Sequence, residues 1–332
     1  MYTSVLPSVL EKYGLEYSHI YPMQKGYRNE SYPVILNSGQ KINIIFFKRE
    51  PNILERIKRA DHVSNYLAQN GILTRQTYDA RILQLRSGNY KTLIAMYIYL
   101  PGKTIPWEAY TKGHIKLIGK TMSDMHYALH KLEIRNMPNV VDEYSALGKE
   151  MLHYFIDPGV KAAMIKKLKL SIDLSQIQNL VVLLDMTKNL PNQQILHMDF
   201  VRGNILFNTT DNQLEVSGII DFEKTAVGHP LFDIARTLAF LIVDCKYKSS
   251  AKVYKYFLYS GYNKRGQSKL PLVTIKANSQ SYDLLNSLVM FFMCHDLYKF
   301  LLHNPYESLH LNEHYIRTRD ALIEYGVVHY NK

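Results

Sequence analysis

Two short apolar runs flank a dense block of turn formers between residues 205 and 220, and this pattern constrains the fold more than any other stretch of the chain. Ile205-Leu206-Phe207 is apolar, residues 208–212 read Asn-Thr-Thr-Asp-Asn, and Val216-Ser217-Gly218-Ile219-Ile220 is apolar again. Such runs separated by turn residues read as an antiparallel hairpin. Folding about the turn brings the start of the first strand beside the end of the second, so Asn204 is expected to neighbour Asp221. Asp199 lies just upstream, on the loop that enters the hairpin.

The residue types at these positions suit one chemistry. A hard Mg²⁺ ion takes oxygen ligands, usually one or two from protein while phosphates and water supply the rest. The Asn204 carbonyl and the Asp221 carboxylate are the metal ligands this reading selects. Asp199 is the catalytic group, able to orient an attacking hydroxyl and accept its proton. A loop Asp, a loop Asn and a later metal-binding Asp form the template for phosphoryl transfer from a metal-bound nucleotide. Each residue alone is commonplace; the ordered set, with strands where strands are needed, carries the argument.

The segments HMDFVRGNILF and GIIDFEKTAVGHPLFDIA resemble the aminoglycoside phosphotransferase and choline kinase superfamily. Its pattern is His-Gly-Asp, four residues, Asn, then Ile-Asp-Trp/Phe-Glu/Asp and a later Asp-Pro-x-x-Asp. The protein-kinase version differs, with Arg between His and Asp and with Asp-Phe-Gly; Met198 and Asp221-Phe222-Glu223 stand there in this chain. The resemblance implies that Asp199 is the catalytic base, Asn204 and Asp221 the metal ligands, and His197 a residue that orients the catalytic loop. It also implies that Asp233 is a buried aspartate holding that loop through backbone N–H groups. Met198 replaces the common Gly and His229 replaces the usual acid before Pro230, and neither change removes a ligand.

The remaining parts of a nucleotide site have counterparts in the first hundred residues. Residues 23–32 form a polar stretch with one glycine, able to fold over phosphates and donate backbone N–H groups. The superfamily's Gly-x-x-Asn-x-x-Tyr loop is matched by Gly26, Asn29 and Tyr32, with Ser31 in the same stretch. In the strand predicted over 42–49, alternation sets Ile44, Phe46 and Lys48 on one face, so Lys48 is the candidate for phosphate contact. A shift of one residue would exchange it with Arg49. The helix predicted over 53–70 should carry an acid to pair that lysine, either Glu55 or Asp61, and the superfamily's spacing favours Asp61. Tyr97, Ile98 and Tyr99 end a strand running into Leu-Pro-Gly, the position where the superfamily's backbone meets the adenine edge. Pro-Gly-Lys-Thr at 101–104 is not a phosphate-binding P-loop, since position 97 is Tyr where that motif requires Gly.

Helical periodicity dominates the rest. Ile115, Ile118, Met122, Met125, Leu129 and Leu132 recur at spacings of three and four, predicting a helix over 112–131 with His126 as a core histidine. Further helices are expected over 174–189, 230–244, 283–303 and 307–325. The apolar run 288–293 is too short to span a bilayer. With 332 residues and 47% hydrophobic content, a folded chain of two lobes is expected. The N-terminal residues lack the pattern of a signal peptide, and Cys245 and Cys294 suggest neither a disulfide framework nor a zinc site. A cytoplasmic location is expected.

The net charge of +11 attracts nucleotides, nucleic acids and anionic membranes alike. From 281 to 332, six acids oppose four Lys and Arg, and Asp283, Asp296, Glu307 and Glu313 are candidates for holding a cationic substrate. The expected architecture is an α+β, protein-kinase-like bilobal fold: a small antiparallel β lobe (1–97), a hinge (98–102) and a larger helical lobe (103–332). The expected activity is phosphorylation of a small molecule's hydroxyl by ATP and Mg²⁺, without a specific nucleic-acid partner or a membrane span. The alternatives are a catalytically silent nucleotide-binding relative, and a kinase acting on protein or nucleic acid.

Overall fold

The computed structural model describes residues 2–25, 29–87, 90–211, 213–264 and 273–331. The chain divides into two compact units, one of residues 1–103 with 217–224 and one of residues 104–216 with 225–332. The first unit therefore takes a short segment from far along the sequence, which a single division at 98–102 does not include.

The first unit is built on an antiparallel sheet. Helix α1 (Leu6–Tyr13) comes first, then β1 (Tyr17–Ile20), β2 (Gln24–Lys25), β3 (Glu30–Leu36), β4 (Lys41–Phe46), α2 (Ile53–Gln69), β5 (Thr77–Ser87) and β6 (Tyr90–Ile98). The strand order is β1-β3-β4-β6-β5, with β2 also on β3. Strand alternation gives the sheet two apolar faces. Ile42, Ile44 and Phe46 pack with Leu6, Val9, Leu10 and Tyr13 of α1. Ile45 and Phe47 pack with Ala95, Tyr97 and Ile57 of α2. Helix α1 is absent from the sequence reading, although Pro7 in its first turn and Gly14 beyond its end (φ +71°) are its start and stop signals.

The second unit is mostly helical. Its elements are α3 (Lys112–Leu129), α4 (Val140–Ile156), α5 (Pro158–Ala163), β7 (Leu170–Ile172), α6 (Leu174–Thr187), β8 (Gln194–Leu196) and β9 (Ile205–Thr210). The chain continues through β10 (Gln213–Ile219), β11 (Ala226–Gly228), α7 (Leu231–Asp244), α8 (Ser250–Tyr254), α9 (Gln280–His303), α10 (Glu313–Glu324) and β12 (Val328–Tyr330). The expected hairpin is present as the pair β9–β10, and the division between the units runs through β10. Helix α3 begins at a capping box in which Thr111 and His114 satisfy each other's backbone N–H groups.

Helix α9 has 24 residues and is long and apolar enough, by composition, to cross a membrane, yet 61% of that stretch is buried inside the protein. It packs against α7, α10, α6 and α4. The single helix predicted over 307–325 is two pieces. A 3₁₀ segment, Tyr306–Leu311, ends before Asn312, whose extended backbone and side chain cap α10 by accepting from Tyr315 N at 3.1 Å. Helix α4, missed from sequence, starts at Asn139, whose side chain accepts from Val141 N at 2.8 Å.

Candidate active site

The loop between β8 and β9 is built around a buried carboxylate. Asp233, in the first turn of α7, is 1% exposed. Its Oδ2 accepts from His197 N at 2.8 Å and its Oδ1 from Met198 N at 2.6 Å. His126 of α3 lies 3.1 Å from Oδ2 through Nε2, while its Nδ1 is 2.9 Å from the Tyr262 hydroxyl. His126 donates Nε2–H to Asp233 and shares a hydrogen bond between Nδ1 and the Tyr262 hydroxyl, so both ring nitrogens are satisfied. Burial alone would raise the Asp233 pKa, but the hydrogen bond and charge of His126, with help from His197, hold it below the usual carboxylate range.

These contacts set the backbone of the loop. Met198 has φ +59°, a left-handed conformation that costs a residue with a Cβ about 1–2 kcal/mol. Two hydrogen bonds to the ionised Asp233 flank that residue and offset the strain. The next residue, Asp199, donates its N–H to His197 Nδ1 at 3.2 Å. Asn204 donates Nδ2 to the Asp199 carbonyl at 2.9 Å and to Asp199 Oδ2 at 3.2 Å. Asp199 and Asn204 are 8% and 9% exposed, whereas His197 is fully enclosed. His197 is therefore closed to solvent, and its ring contact is to the backbone of the same loop. With the Asn204 amide nitrogen committed to Asp199, the carbonyl oxygen is the atom left for a hard cation.

A charged pair adjoins this loop within the second unit. Arg236 of α7 donates Nη1 to both Asp296 oxygens, at 3.1 and 3.0 Å, and the Asp199 carboxylate adds to the charge that favours its guanidinium. Among the other acids considered for substrate binding, Glu307 pairs with Lys167 at 2.8 Å, Glu313 pairs with Lys246 at 2.6 Å, and Asp283 is exposed.

The expected nucleotide-site residues lie in the first unit. Gly26 lies outside the described residues. Asn29 accepts from Lys48 N through Oδ1 at 3.0 Å, and Ser31 donates Oγ to Asn43 Oδ1 at 2.6 Å. Strand β4 ends at Phe46, and Lys48 follows it as an exposed residue. The pairing expected between Lys48 and an acid of α2 is not the one present. Glu55 meets Lys58 at 3.1 Å, and Asp61 meets Arg75 at 3.4 Å. The face of β4 that packs on α2 carries Ile45 and Phe47, so Lys48 belongs to the opposite parity. Tyr97 is buried with its ring 4.2 Å from the Arg75 guanidinium. The Ile98 and Tyr99 N–H groups already donate to the Gln76 and Lys41 carbonyls, at 2.9 and 3.2 Å. Both of these backbone amides are thus engaged within the protein.

Asp221 belongs to the segment 217–224 of the first unit and has φ +65°. A carboxylate on a constrained backbone suits an oxygen donor for a hard cation. Among the described residues no group of three or more His, Cys, Asp and Glu side chains is arranged to hold a metal ion, so the protein offers a partial set that phosphate oxygens would complete.

Solved structures share this fold. The chain is 13% identical to a microcompartment-associated aminopropanol kinase, with a TM-score of 0.69 over 97% of this chain and 99% of that one. It is 15% identical to amicoumacin kinase hAmiN, solved with AMP-PNP, Ca²⁺ and Ami, with a TM-score of 0.67 over 97% and 96% of the two chains. It is 12% identical to choline kinase from Cryptosporidium parvum, with a TM-score of 0.56 over 98% and 97%. No curated protein sequence matches the chain. The sequence from 19 to 245 matches a family profile that takes in the sheet, the Asp233-anchored loop and the hairpin, and on that match the chain belongs to the Phosphotransferase enzyme family.

Proposed function

We propose that this protein transfers the terminal phosphoryl group of Mg-ATP to a hydroxyl of a small molecule such as an amino alcohol, an aminoglycoside, a sugar or a homoserine-like compound. The observation that carries this reading is the Asp199 carboxylate, held by Asn204 on a loop whose backbone is tied to a buried aspartate. In the reaction, the acceptor oxygen bonds to the terminal phosphorus, the bond from that phosphorus to the ADP oxygen breaks, and the hydroxyl proton passes to Asp199. Asn204 and Asp221 would hold the divalent cation, which when bound neutralises phosphate charge. Lys48, exposed after β4, has the reach of a long side chain toward phosphate oxygens, and Asn29 and Ser31, bound to Lys48 N and Asn43, would stand beside them. Most of the acceleration then comes from positioning and electrostatics.

The aminopropanol and choline kinases among the structural neighbours support an amino alcohol as the first acceptor to test. Asp296, which retains partial exposure beside Arg236, is the acid best sited to meet its ammonium group. A panel of hydroxylated metabolites and aminoglycosides assayed for ADP release tests the proposal, with Asp199→Ala as the control variant. Loss of the general base should lower turnover on the order of 10²–10⁴-fold with nucleotide affinity retained, and near-normal turnover of that variant refutes the role. A second reading, a nucleotide-binding relative without turnover, is favoured by the pairing of Asp61 with Arg75 instead of a lysine. Acceptor-dependent ADP release would eliminate it.

A further inference from the structure

Arg75 stands in the segment that leads into β5 and is 5% exposed, with two carboxylates on its fork. Its Nη1 donates to Glu223 Oε1 at 2.8 Å and its Nη2 to Asp61 Oδ1 at 3.4 Å. The guanidinium carbon lies 4.2 Å from the centre of the Tyr97 ring. All four residues belong to the first unit. Burial alone would push Asp61 upward, and it reaches about 6 even with Arg75 and Tyr97 opposing the rise. Burial also opposes ionisation of Glu223, yet the shorter contact to Arg75 keeps that carboxyl well below the usual range.

The same residues fasten the segment that carries Asp221. Arg75 N donates to the Ile219 carbonyl at 3.1 Å, and Ile219 N donates to the Leu73 carbonyl at 2.9 Å. Thr74 and Ile219 thereby form a parallel bridge. On the far side of Asp221, Arg56 of α2 donates Nε to the Glu223 carbonyl at 3.3 Å. Asp221 is thus bracketed two residues before by a backbone bridge and two residues after by two arginines. Whatever holds Ile219 and Glu223 in place therefore limits where Asp221 can rest.

We propose that Arg75 is a positioning residue for the Asp221 carboxylate: through its ion pair with Glu223 and its backbone bond to Ile219 it fastens the segment on both sides of Asp221 and so fixes where that residue sits. The inference rests on the metal role assigned above to Asp221. Arginine suits the task because its planar fork meets two carboxylates and stacks on an aromatic face at once, whereas the point charge of lysine does not. Asp61 and Tyr97 fix the guanidinium from the α2 side, so Arg75 links that helix to the metal-binding segment. Partners that orient a metal ligand without touching the metal typically change affinity 10–100-fold when removed.

The experiment measures Mn²⁺-ATP binding to the full chain without acceptor, following free Mn²⁺ by electron paramagnetic resonance, for Arg75→Gln, Arg75→Lys, Glu223→Gln and Asp221→Ala. Circular dichroism monitors folding of each. Arg75→Gln should weaken Mn²⁺-ATP about 10–100-fold, and Arg75→Lys should recover part of that loss. The acceptor KM of Arg75→Gln should stay within about twofold, a separation that general loosening of the protein would not produce. If Arg75→Gln does not fold, Arg75→Lys decides: it should still bind Mn²⁺-ATP more weakly than wild type. Glu223→Gln breaks the same ion pair, so combining it with Arg75→Gln should add little further loss. A folded Arg75 variant that binds Mn²⁺-ATP within twofold of wild type, while Asp221→Ala does not, overturns the role of Arg75 alone. Unchanged binding by Asp221→Ala overturns the metal assignment on which it rests.

Discussion

Replacing Asp233 with Asn changes one atom and should cost the second unit much of its stability. The carboxylate accepts from two backbone N–H groups and faces His126, at 2.8, 2.6 and 3.1 Å. Hydrogen bonds to a charged group are worth about 1.5–3 kcal/mol each. Asparagine keeps one acceptor oxygen, and its amide would point N–H groups at a backbone donor. At least one charged bond is lost and one buried donor is left without a partner, which together cost about 3–5 kcal/mol. Relaxation of Met198 from φ +59° returns about 1–2 kcal/mol of strain, leaving a net loss of about 1–4 kcal/mol. Trp107, the only tryptophan, lies in the second unit, so urea unfolding followed by its fluorescence reports on the right part of the chain. The midpoint should fall with an unchanged slope. The pH dependence supplies a second check. Because the folded-state pKa of Asp233 is lowered, its contribution is present above the unfolded value of about 4 and is lost as pH falls through the folded one. The difference between wild type and variant should therefore shrink in acid. A destabilisation under about 1 kcal/mol at neutral pH, or one independent of pH in that window, would refute the anchoring argument.

Other perturbations have equally definite outcomes. Burial, then the charge of His126, pushes His229 down from 6.5 to about 4, so the unfolded chain binds the extra proton first and stability falls as pH drops from 6.5 to 4. The loss should total roughly 3 kcal/mol, and His229→Gln should remove that slope in pH-dependent denaturation curves. Gly119→Ala would set a Cβ 2.1 Å from the Phe257 carbonyl oxygen and 2.8 Å from Tyr262 N. Because backbone cannot step aside as a side-chain tip can, thermal melting should report a loss of about 3 kcal/mol, at the upper end for overpacking. Arg317 donates to the carbonyls of Ile242, Val243 and Lys246 at the end of α7. Arg317→Met should cost about 1–3 kcal/mol in the same assay, and a neutral result would mean that water serves those carbonyls equally well.

The hairpin and the loop between β8 and β9 were readable from sequence because their logic is local. The hairpin, the spacing of Asp199 from Asn204 and the acid at the start of α7 all lie within one short stretch. The partner of Asp61 was not readable. Alternation along β4 places Lys48 with Ile44 and Phe46, but it does not say which face of the strand meets α2, and that face proved to be the one carrying Ile45 and Phe47. Arg75 gave no local signal either: its carboxylates are 14 and 148 residues away in the chain, and only the tertiary fold brings them to one guanidinium. Met198 is the opposite case. A bulky residue in place of glycine looked like a harmless departure, and the structure gives it the left-handed backbone that glycine would have adopted without strain. The His126 expectation held, since that ring is fully buried with both nitrogens engaged.

The bridge between Thr74 and Ile219 has a bearing on how the chain can be made. During synthesis the first hundred residues emerge long before 217–224, yet Arg75 finds its closest carboxylate only there. Until that stretch leaves the ribosome, a nascent first unit must either leave the guanidinium in water or bury it with Asp61 as its sole acidic contact. A fragment released at residue 103 would face that choice permanently, and should be markedly more protease-sensitive than the same residues within the whole chain.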